Sequence, residues 1–407
     1  IAASVLRAAA AEQCGIASAH ALATAAGCDI LAAGGNAFDA AVAVAAALAV
    51  VEPFASGIGG GGFLLLHRAS DNFDVFVDAR ETAPSRATLA FFVDENGQAR
   101  QKAALEGPSA AGIPGEPAAL DWVARRYGTL PLARSLAPAI RLAERGFPAD
   151  ARYASASALR EALLQRNPDA ATSFLDNGKA VAPGFVVMQP QLARTLRMLA
   201  DQGGRAFYHG DFARKFAQTV KSAGGLWELS DLENYRVIER PPARLTYRGA
   251  RITTAPLPSS GGLVLAQSLV ILESVDMAGL SAAERAHYVV EAMRRGYHDR
   301  ARFMGDPDFF AVPVTKLASR EYAQRRGASI DPAHATPSSD LAPGAGVADE
   351  GADTTHFSII DAHGNRVAAT LSVNGPFGSG FVAGDTGVLL NNHMDDFVLV
   401  PGVPNSY

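Results

Sequence analysis

The chain of 407 residues predicts a mixed α/β protein, on three observations. Apolar residues make up 48% and charged residues 19%, which supplies a sizeable core and argues against a disordered chain. Long stretches repeat apolar residues at helical spacing. Shorter apolar stretches, bounded by Gly, Asn and Pro, carry the strand signal. The length allows two or three domains, or one large layered unit, at roughly 100–200 residues per domain.

Ser18 can cap a helix over 19–33, which Gly34 and Gly35 stop. Asn36 caps a second, Ala-rich helix that reaches residue 51 and ends before Pro53. Apolar nearly all round, it should be buried. Strands are expected over 63–67 and 73–78. The middle of the chain predicts helices over 115–127, 132–145, 157–165, 190–202 and 211–223. A strand over 247–254 leads into a Pro-rich turn, followed by a helix to 273 and another over 282–303. The composition changes at 336–353, where Pro, Gly, Ser, Ala and acidic residues predict a flexible, solvated segment. It runs straight into a hairpin: a strand over 354–361, a turn over 362–365 and a strand over 366–374. Gly364 and Asn365 suit the left-handed conformations of a tight turn.

Several function classes are disfavoured. The 36 basic and 41 acidic side chains give −5 with no basic block, so neither nucleic acid nor an anionic membrane is an expected partner. The longest uncharged apolar run, 40–51, is too short for a membrane span of roughly 18 residues or more. Cys14 and Cys28 exclude a disulfide-built scaffold. They could pair once or stay reduced, and buried, inert thiols are the expectation. The glycine run 57–62 fits a dinucleotide-loop string, but the order is helix, loop, strand rather than strand, loop, helix. Close backbone approach is the better account. His287 and Glu291 share a helical face and His298 lies further on, with no third metal ligand at a recognisable spacing; a solvated or core-edge helix is expected there. Ser259 and Ser260 sit in a Pro-rich turn rather than a nucleophile elbow.

A hydroxyl residue, Thr354, starts a strand directly after the flexible segment. Pairing Asp361 with Arg366 sets Thr354 opposite Val373 and Thr355 opposite Ser372. A bulge or one-residue slip would bring Ser372 opposite Thr354, with Asn374 in reach. A threonine hydroxyl needs a base. Cleavage between Asp353 and Thr354 would free an α-amine with a reference pKa of about 7.7–8.0, a suitable base. Threonines also start many strands for no catalytic reason.

The motifs Ala79-Arg-Glu-Thr-Ala-Pro84, Pro258-Ser-Ser-Gly-Gly262, Gly305-Asp-Pro-Asp-Phe309, Thr354-Thr-His-Phe-Ser and Leu389-Leu-Asn-Asn-His-Met-Asp-Asp-Phe397 occur in this order. With Gly34-Gly-Asn-Ala and the glycine run, they resemble the gamma-glutamyltranspeptidase family of autoprocessing N-terminal-nucleophile hydrolases. The resemblance implies a four-layer αββα sandwich, with residues 1–353 as a large subunit and the stretch from Thr354 as the start of a small one, both in one intertwined domain.

It implies Thr354 as nucleophile, freed by attack of its hydroxyl on the Asp353 carbonyl, with Ser372 as the second hydroxyl beside it. Arg80 matches the arginine that grips the α-carboxylate of the donor. Asp396 matches the carboxylate that holds the donor's α-ammonium, and Asn374 an amide near the same end. His393 stands where the family usually shows Gln or Glu. The resemblance stops at 401–407, where family members continue. That further stretch would carry a glycine pair for the oxyanion and a serine pair, so this chain alone is expected to be nearly inactive.

The implied activity is transfer or hydrolysis of the γ-glutamyl group of glutathione and related amides, to water or to an amino-acid or peptide acceptor. No metal or organic cofactor is implied, and the family's usual location is the periplasm or cell exterior. The alternatives are a glutaryl- or cephalosporin-type acylase of the same family and a processing-defective binding homologue.

Overall fold

A computed structural model describes residues 14–341, 354–397 and 399. The chain forms two compact units. The first combines 1–239 with 350–395, and the second combines 240–349 with 396–407.

The first unit is organised by a six-stranded sheet in the order β1 (Gly15–Ala17), β9, β10, β2 (Gly61–Arg68), β3 (Phe73–Ala79), β6 (Ile238–Arg240). Here β9 is Thr354–Ile360 and β10 is Arg366–Ser372. A two-stranded ribbon joins β4 (Phe147–Pro148) to β5 (Val186–Val187). The helices of eight residues or more in this unit are α1 (Ala21–Ala32), α2 (Ala37–Val51), α3 (Glu116–Tyr127), α4 (Leu132–Arg145), α5 (Ala151–Leu164), α6 (Pro190–Gln202) and α7 (Gly210–Ser222).

Helix α2 is buried along its whole length and lies against β9 and β10 on one side and α1, α3 and α4 on others. Each large side chain it removes from water, such as Phe38 or Leu48, contributes roughly 1.5–3 kcal/mol. Its start is fixed as expected by Asn36, whose side chain accepts from the N–H groups of Phe38 and Asp39 while Asp39 accepts from the Asn36 N–H.

Four expectations for the first unit need correction. Helix α1 begins at Ala21 rather than 19, because the Nδ1 of His20 caps it by accepting from the Leu22 N–H at 3.1 Å. Ser18 instead donates to the His20 carbonyl. Helix α5 starts at Ala151 rather than 157, capped by Asp150, which accepts from the Tyr153 N–H at 2.7 Å. Cys14 and Cys28 form a disulfide with Cα atoms 5.5 Å apart, joining the end of β1 to α1. Pairing depends on the strand end and helix turn meeting in space, which sequence spacing does not report.

The fourth concerns the hairpin register. Ser372 lies opposite Thr354, Leu371 opposite Thr355 and Arg366 opposite Ile360. This is the slipped pairing, and the loop explains it. The N–H of Asp361 donates to the carbonyl of Asn365 at 3.1 Å, closing a three-residue loop over 362–364. Gly364 takes the left-handed conformation at φ 83°. The Asp361 carboxylate accepts from the N–H groups of His363 and Asn365 and from the Asn365 side chain.

In the second unit, the expected single strand over 247–254 is a hairpin of β7 (Ala243–Tyr247) and β8 (Ala250–Thr254). Arg248 and Gly249 both have positive φ, 48° and 84°, and make the two-residue turn. Arginine seldom takes this conformation, so the turn left little trace in the sequence. Helices α8 (Gly261–Glu273), α9 (Ala282–Phe303) and α10 (Arg320–Gly327) pack around two small apolar clusters. Glu291 on α9 is not solvated. It is buried and paired with Arg295 at 2.6 Å, and it accepts from Thr336. His287 is half-buried and its Nε2 bonds to the Asp331 carbonyl at 2.8 Å. Among the described residues, no group of His, Cys, Asp and Glu could hold a metal ion.

Candidate active site

Strand β9 alternates strictly. Thr354, His356, Ser358 and Ile360 face outward, while Thr355, Phe357 and Ile359 are buried. Burial of the second set against α2 therefore leaves the Thr354 hydroxyl accessible at the strand's first position. Its Oγ1 lies 3.2 Å from Ser372 Oγ. Ser372 Oγ also accepts from the Asn374 N–H at 2.8 Å. Asn374 takes a left-handed conformation at φ 74°, turning the chain sharply as β10 ends. Its side chain donates to the Asn392 carbonyl at 3.1 Å.

The glycine run gives this site its floor. A Cβ at Gly60 would sit 2.2 Å from the Ser372 carbonyl oxygen, so only glycine permits the approach. Asn391 stitches the run to the segment behind it. Its side chain donates to the carbonyls of Gly59 and Gly112 and accepts from the N–H groups of Gly112 and His393.

A second cluster is organised by Glu81. Arg80 follows directly on β3, and its Nη1 lies 3.8 Å from Glu81 Oε2. The Arg80 backbone is held on both sides: its N–H donates to Asp78, and its carbonyl accepts from the Tyr235 hydroxyl at 2.8 Å. His393 Nδ1 stands 2.9 Å from Glu81 Oε1. Glu116, at the first turn of α3, is fully buried and neither oxygen has a hydrogen-bond partner. Burial, reinforced by the charge of Glu81, pushes its carboxyl up to about 8, so Glu116 is neutral at neutral pH.

The structure thus brings Thr354, Ser372 and Asn374 together by direct contacts, and Arg80 and His393 together through Glu81. Asn374 and His393 are linked through Asn392. Asp396 closes the short turn His393–Asp396 and falls in the second compact unit. Asp353 lies outside the described residues, as does the part of the expected flexible segment over 342–353. Glu81, Asn391 and Asn392 lie inside motifs singled out above without receiving a role. Glu116 left no signal, because it stands at a helix start, where glutamate is common.

A strand-initial hydroxyl paired with a second hydroxyl, on an antiparallel sheet covered by helices, is the arrangement of an N-terminal-nucleophile hydrolase. Residues 23–407 match the model of the family described as gamma-glutamyltranspeptidase, and the chain belongs to that family. It is 41% identical over 400 residues to the glutathione hydrolase proenzyme of Escherichia coli K12, an alignment covering 98% of this chain and 69% of that protein. It is 40% identical over 392 residues to the acylase ACY 1 proenzyme of Pseudomonas sp. strain V22, covering 94% and 69%. Among solved structures, the Helicobacter pylori gamma-glutamyltranspeptidase superposes with a TM-score of 0.77 at 38% identity, covering 83% of this chain and 97% of that one. The cephalosporin acylase of Bacillus halodurans superposes at 0.84 and 30% identity, covering 97% and 72%.

Proposed function

We propose that the protein is an autoprocessing threonine-nucleophile enzyme that transfers or hydrolyses the γ-glutamyl group of glutathione and related γ-glutamyl amides. The observation that carries this reading is the 3.2 Å approach of Thr354 Oγ1 to Ser372 Oγ at the head of β9.

In maturation, Thr354 Oγ1 attacks the carbonyl carbon of Asp353. The acyl group shifts from the Thr354 nitrogen to its oxygen, and water cleaves the ester. This leaves a carboxylate on Asp353 and a free α-amine on Thr354. In catalysis that amine accepts the hydroxyl proton as Oγ1 attacks the γ-carbonyl of the donor. It then returns the proton to the departing amine, leaving a γ-glutamyl ester on Thr354. Water or an amino-acid or peptide amine resolves the ester. Ser372 supports the oxygen throughout. Arg80 holds the donor α-carboxylate, and Asp396, Asn374 and His393 serve its α-ammonium. The Cys14–Cys28 bond supports an oxidising location, the periplasm or cell exterior.

A second reading is an acylase that takes glutaryl side chains. The contact of His393 with Glu81 favours it, because an imidazole held beside a carboxylate is poorly suited to receive an ammonium group. Acylase relatives match at nearly the same identity as glutathione hydrolases.

The test of the common core is maturation. The wild-type precursor should yield a second N-terminus reading Thr-Thr-His-Phe, and Thr354→Ala should remain one uncut, folded chain with no activity. Ser372→Ala should mature more slowly but still mature. Cleavage of Thr354→Ala at the wild-type rate, or an uncut wild type, would reject the reading in favour of another nucleophile or a non-catalytic binding protein.

A further inference from the structure

The side of β9 that faces away from the active site carries one polar residue. Of its inward side chains, Phe357 and Ile359 are apolar and Thr355 is not, although Thr355 is only 2% exposed. Its hydroxyl donates to Glu52 Oε2 at 3.2 Å. Glu52 is 1% exposed and stands at the C-cap of α2. A carboxylate there faces the negative end of the helix dipole as well as the loss of water, so two separate costs oppose it. Arg152 offsets them. Its Nη1 reaches Glu52 Oε1 at 2.8 Å, and its guanidinium lies over the Phe54 ring at 5.6 Å. Thr355, Glu52 and Arg152 therefore form a polar line from the residue after Thr354 to the surface of α5.

We propose that Glu52, braced by Arg152, is a positioning residue for the nucleophile, acting through the hydroxyl of Thr355. The inference rests on the reading of Thr354 as nucleophile.

The physical argument is one of register and freedom. After the proposed cleavage Thr354 is the terminal residue of β9, so no preceding rung of the ladder steadies it. A strand end of this kind frays readily. The apolar residues Phe357 and Ile359 bind by area and tolerate a small slide, whereas a hydrogen bond to a charged acceptor is directional. Anchoring Thr355 fixes its backbone, and the alternation of the strand then turns Thr354 Oγ1 toward Ser372 Oγ. A shift of one residue would exchange the two threonines and bury the nucleophile. Glu52 touches neither substrate nor the reacting atoms, so its influence falls on the rate of attack and not on donor binding.

The experiment compares Thr355→Val, Thr355→Ser, Glu52→Gln, Arg152→Gln and a Thr355→Val/Glu52→Gln double variant in the whole precursor. It reads the first-order rate of self-cleavage, then kcat and KM of the matured enzyme, with the melting temperature as a control. Thr355→Val keeps the shape and removes the donor. It should slow cleavage and lower kcat about 10-fold or more, the effect of losing a hydrogen bond to a charged group, with KM unchanged within about two-fold.

Thr355→Ser restores the donor and should recover most of the rate. Arg152→Gln, which takes from buried Glu52 the cation that braces it, should slow cleavage by a smaller factor and lower the melting temperature. The double variant should be no slower than its slower parent, because both changes break one line. Wild-type cleavage in Thr355→Val, a Thr355→Ser variant no faster than Thr355→Val, or fully multiplicative single effects would overturn the proposal. Thr354→Ala serves as the separate control. If it still cleaves, the nucleophile reading fails; if it is inert while Thr355→Val matures normally, only the positioning role fails.

Discussion

Glu81 places a negative charge between Arg80 and His393, and that arrangement decides how donor recognition should respond to substitution. A carboxylate this deeply buried, at 3% side-chain exposure, is costly unless cations face it. Arg80 supplies that compensation, while Glu116 nearby avoids the same cost by staying protonated. Arg80→Ala should therefore raise KM for γ-glutamyl anilide by at least one to two orders of magnitude. Removing one partner of a partly desolvated pair costs about 2–5 kcal/mol, at roughly 1.4 kcal/mol per factor of ten. Asp396→Ala should do the same for γ-glutamyl donors and little for glutaryl donors, which carry no ammonium. Steady-state kcat/KM for both donors in wild type, Asp396→Ala and His393→Gln separates the two enzyme readings. A wild type that prefers glutaryl donors, with Asp396→Ala silent on both, selects the acylase. The roles proposed for Arg80 and His393 follow from the motifs in which they lie. Glu81 acquires its meaning only from what its two oxygens face.

The hairpin of β9 and β10 is the element that sets Thr354 beside Ser372, and Asp361 fixes its register. Besides its loop contacts, the Asp361 carboxylate accepts from the Ala37 N–H at 3.0 Å, at the first turn of α2. One side chain thus joins the hairpin turn to the central helix at its favourable end. Burial works against the charged form of Asp361. The bonds from the Asn365 side chain and from the N–H groups of Ala37, Asn365 and His363 outweigh it and hold the carboxyl below its ordinary value. A depressed folded value stabilises the fold above the unfolded value of about 3.8 and loses that contribution as pH falls through the folded one. Asp361→Asn should thus cost about 1–3 kcal/mol at pH 7. Denaturant titrations should show the gap to wild type closing below pH 4. A constant gap across pH would mean that the charge is irrelevant. Self-cleavage should slow in the same variant, because a looser turn releases Thr354 from Ser372.

At the scale of the molecule, β9 lies between β1 on one side and β10 on the other. Strand β1 has only three residues, too few to hold an edge by hydrogen bonds alone. The Cys14–Cys28 bond ties it to α1, closing a loop with a sequence separation of 14. A loop of this length contributes about 3 kcal/mol in the chain-entropy account. Urea unfolding with and without reductant should show a loss of about that size, and Cys28→Ser should reproduce it. No change on reduction would mean that β1 is held by its pairing with β9 instead.

Much of this was legible in order along the chain. The capping of α2 by Asn36, the burial of an all-apolar helix, and the bounds of α4, α6 and α9 follow from local rules. Such features depend on neighbours within a few residues, and those neighbours are written consecutively. The pairing of the cysteines, the left-handed turn at Arg248, the one-residue register and the partners of Glu52 and Glu81 were not legible. Each depends on which distant backbone or side chain arrives within about 3 Å, the reach of a hydrogen bond. A residue's type states what it can bond to. Only packing selects the partner, because burial removes water as the competing one.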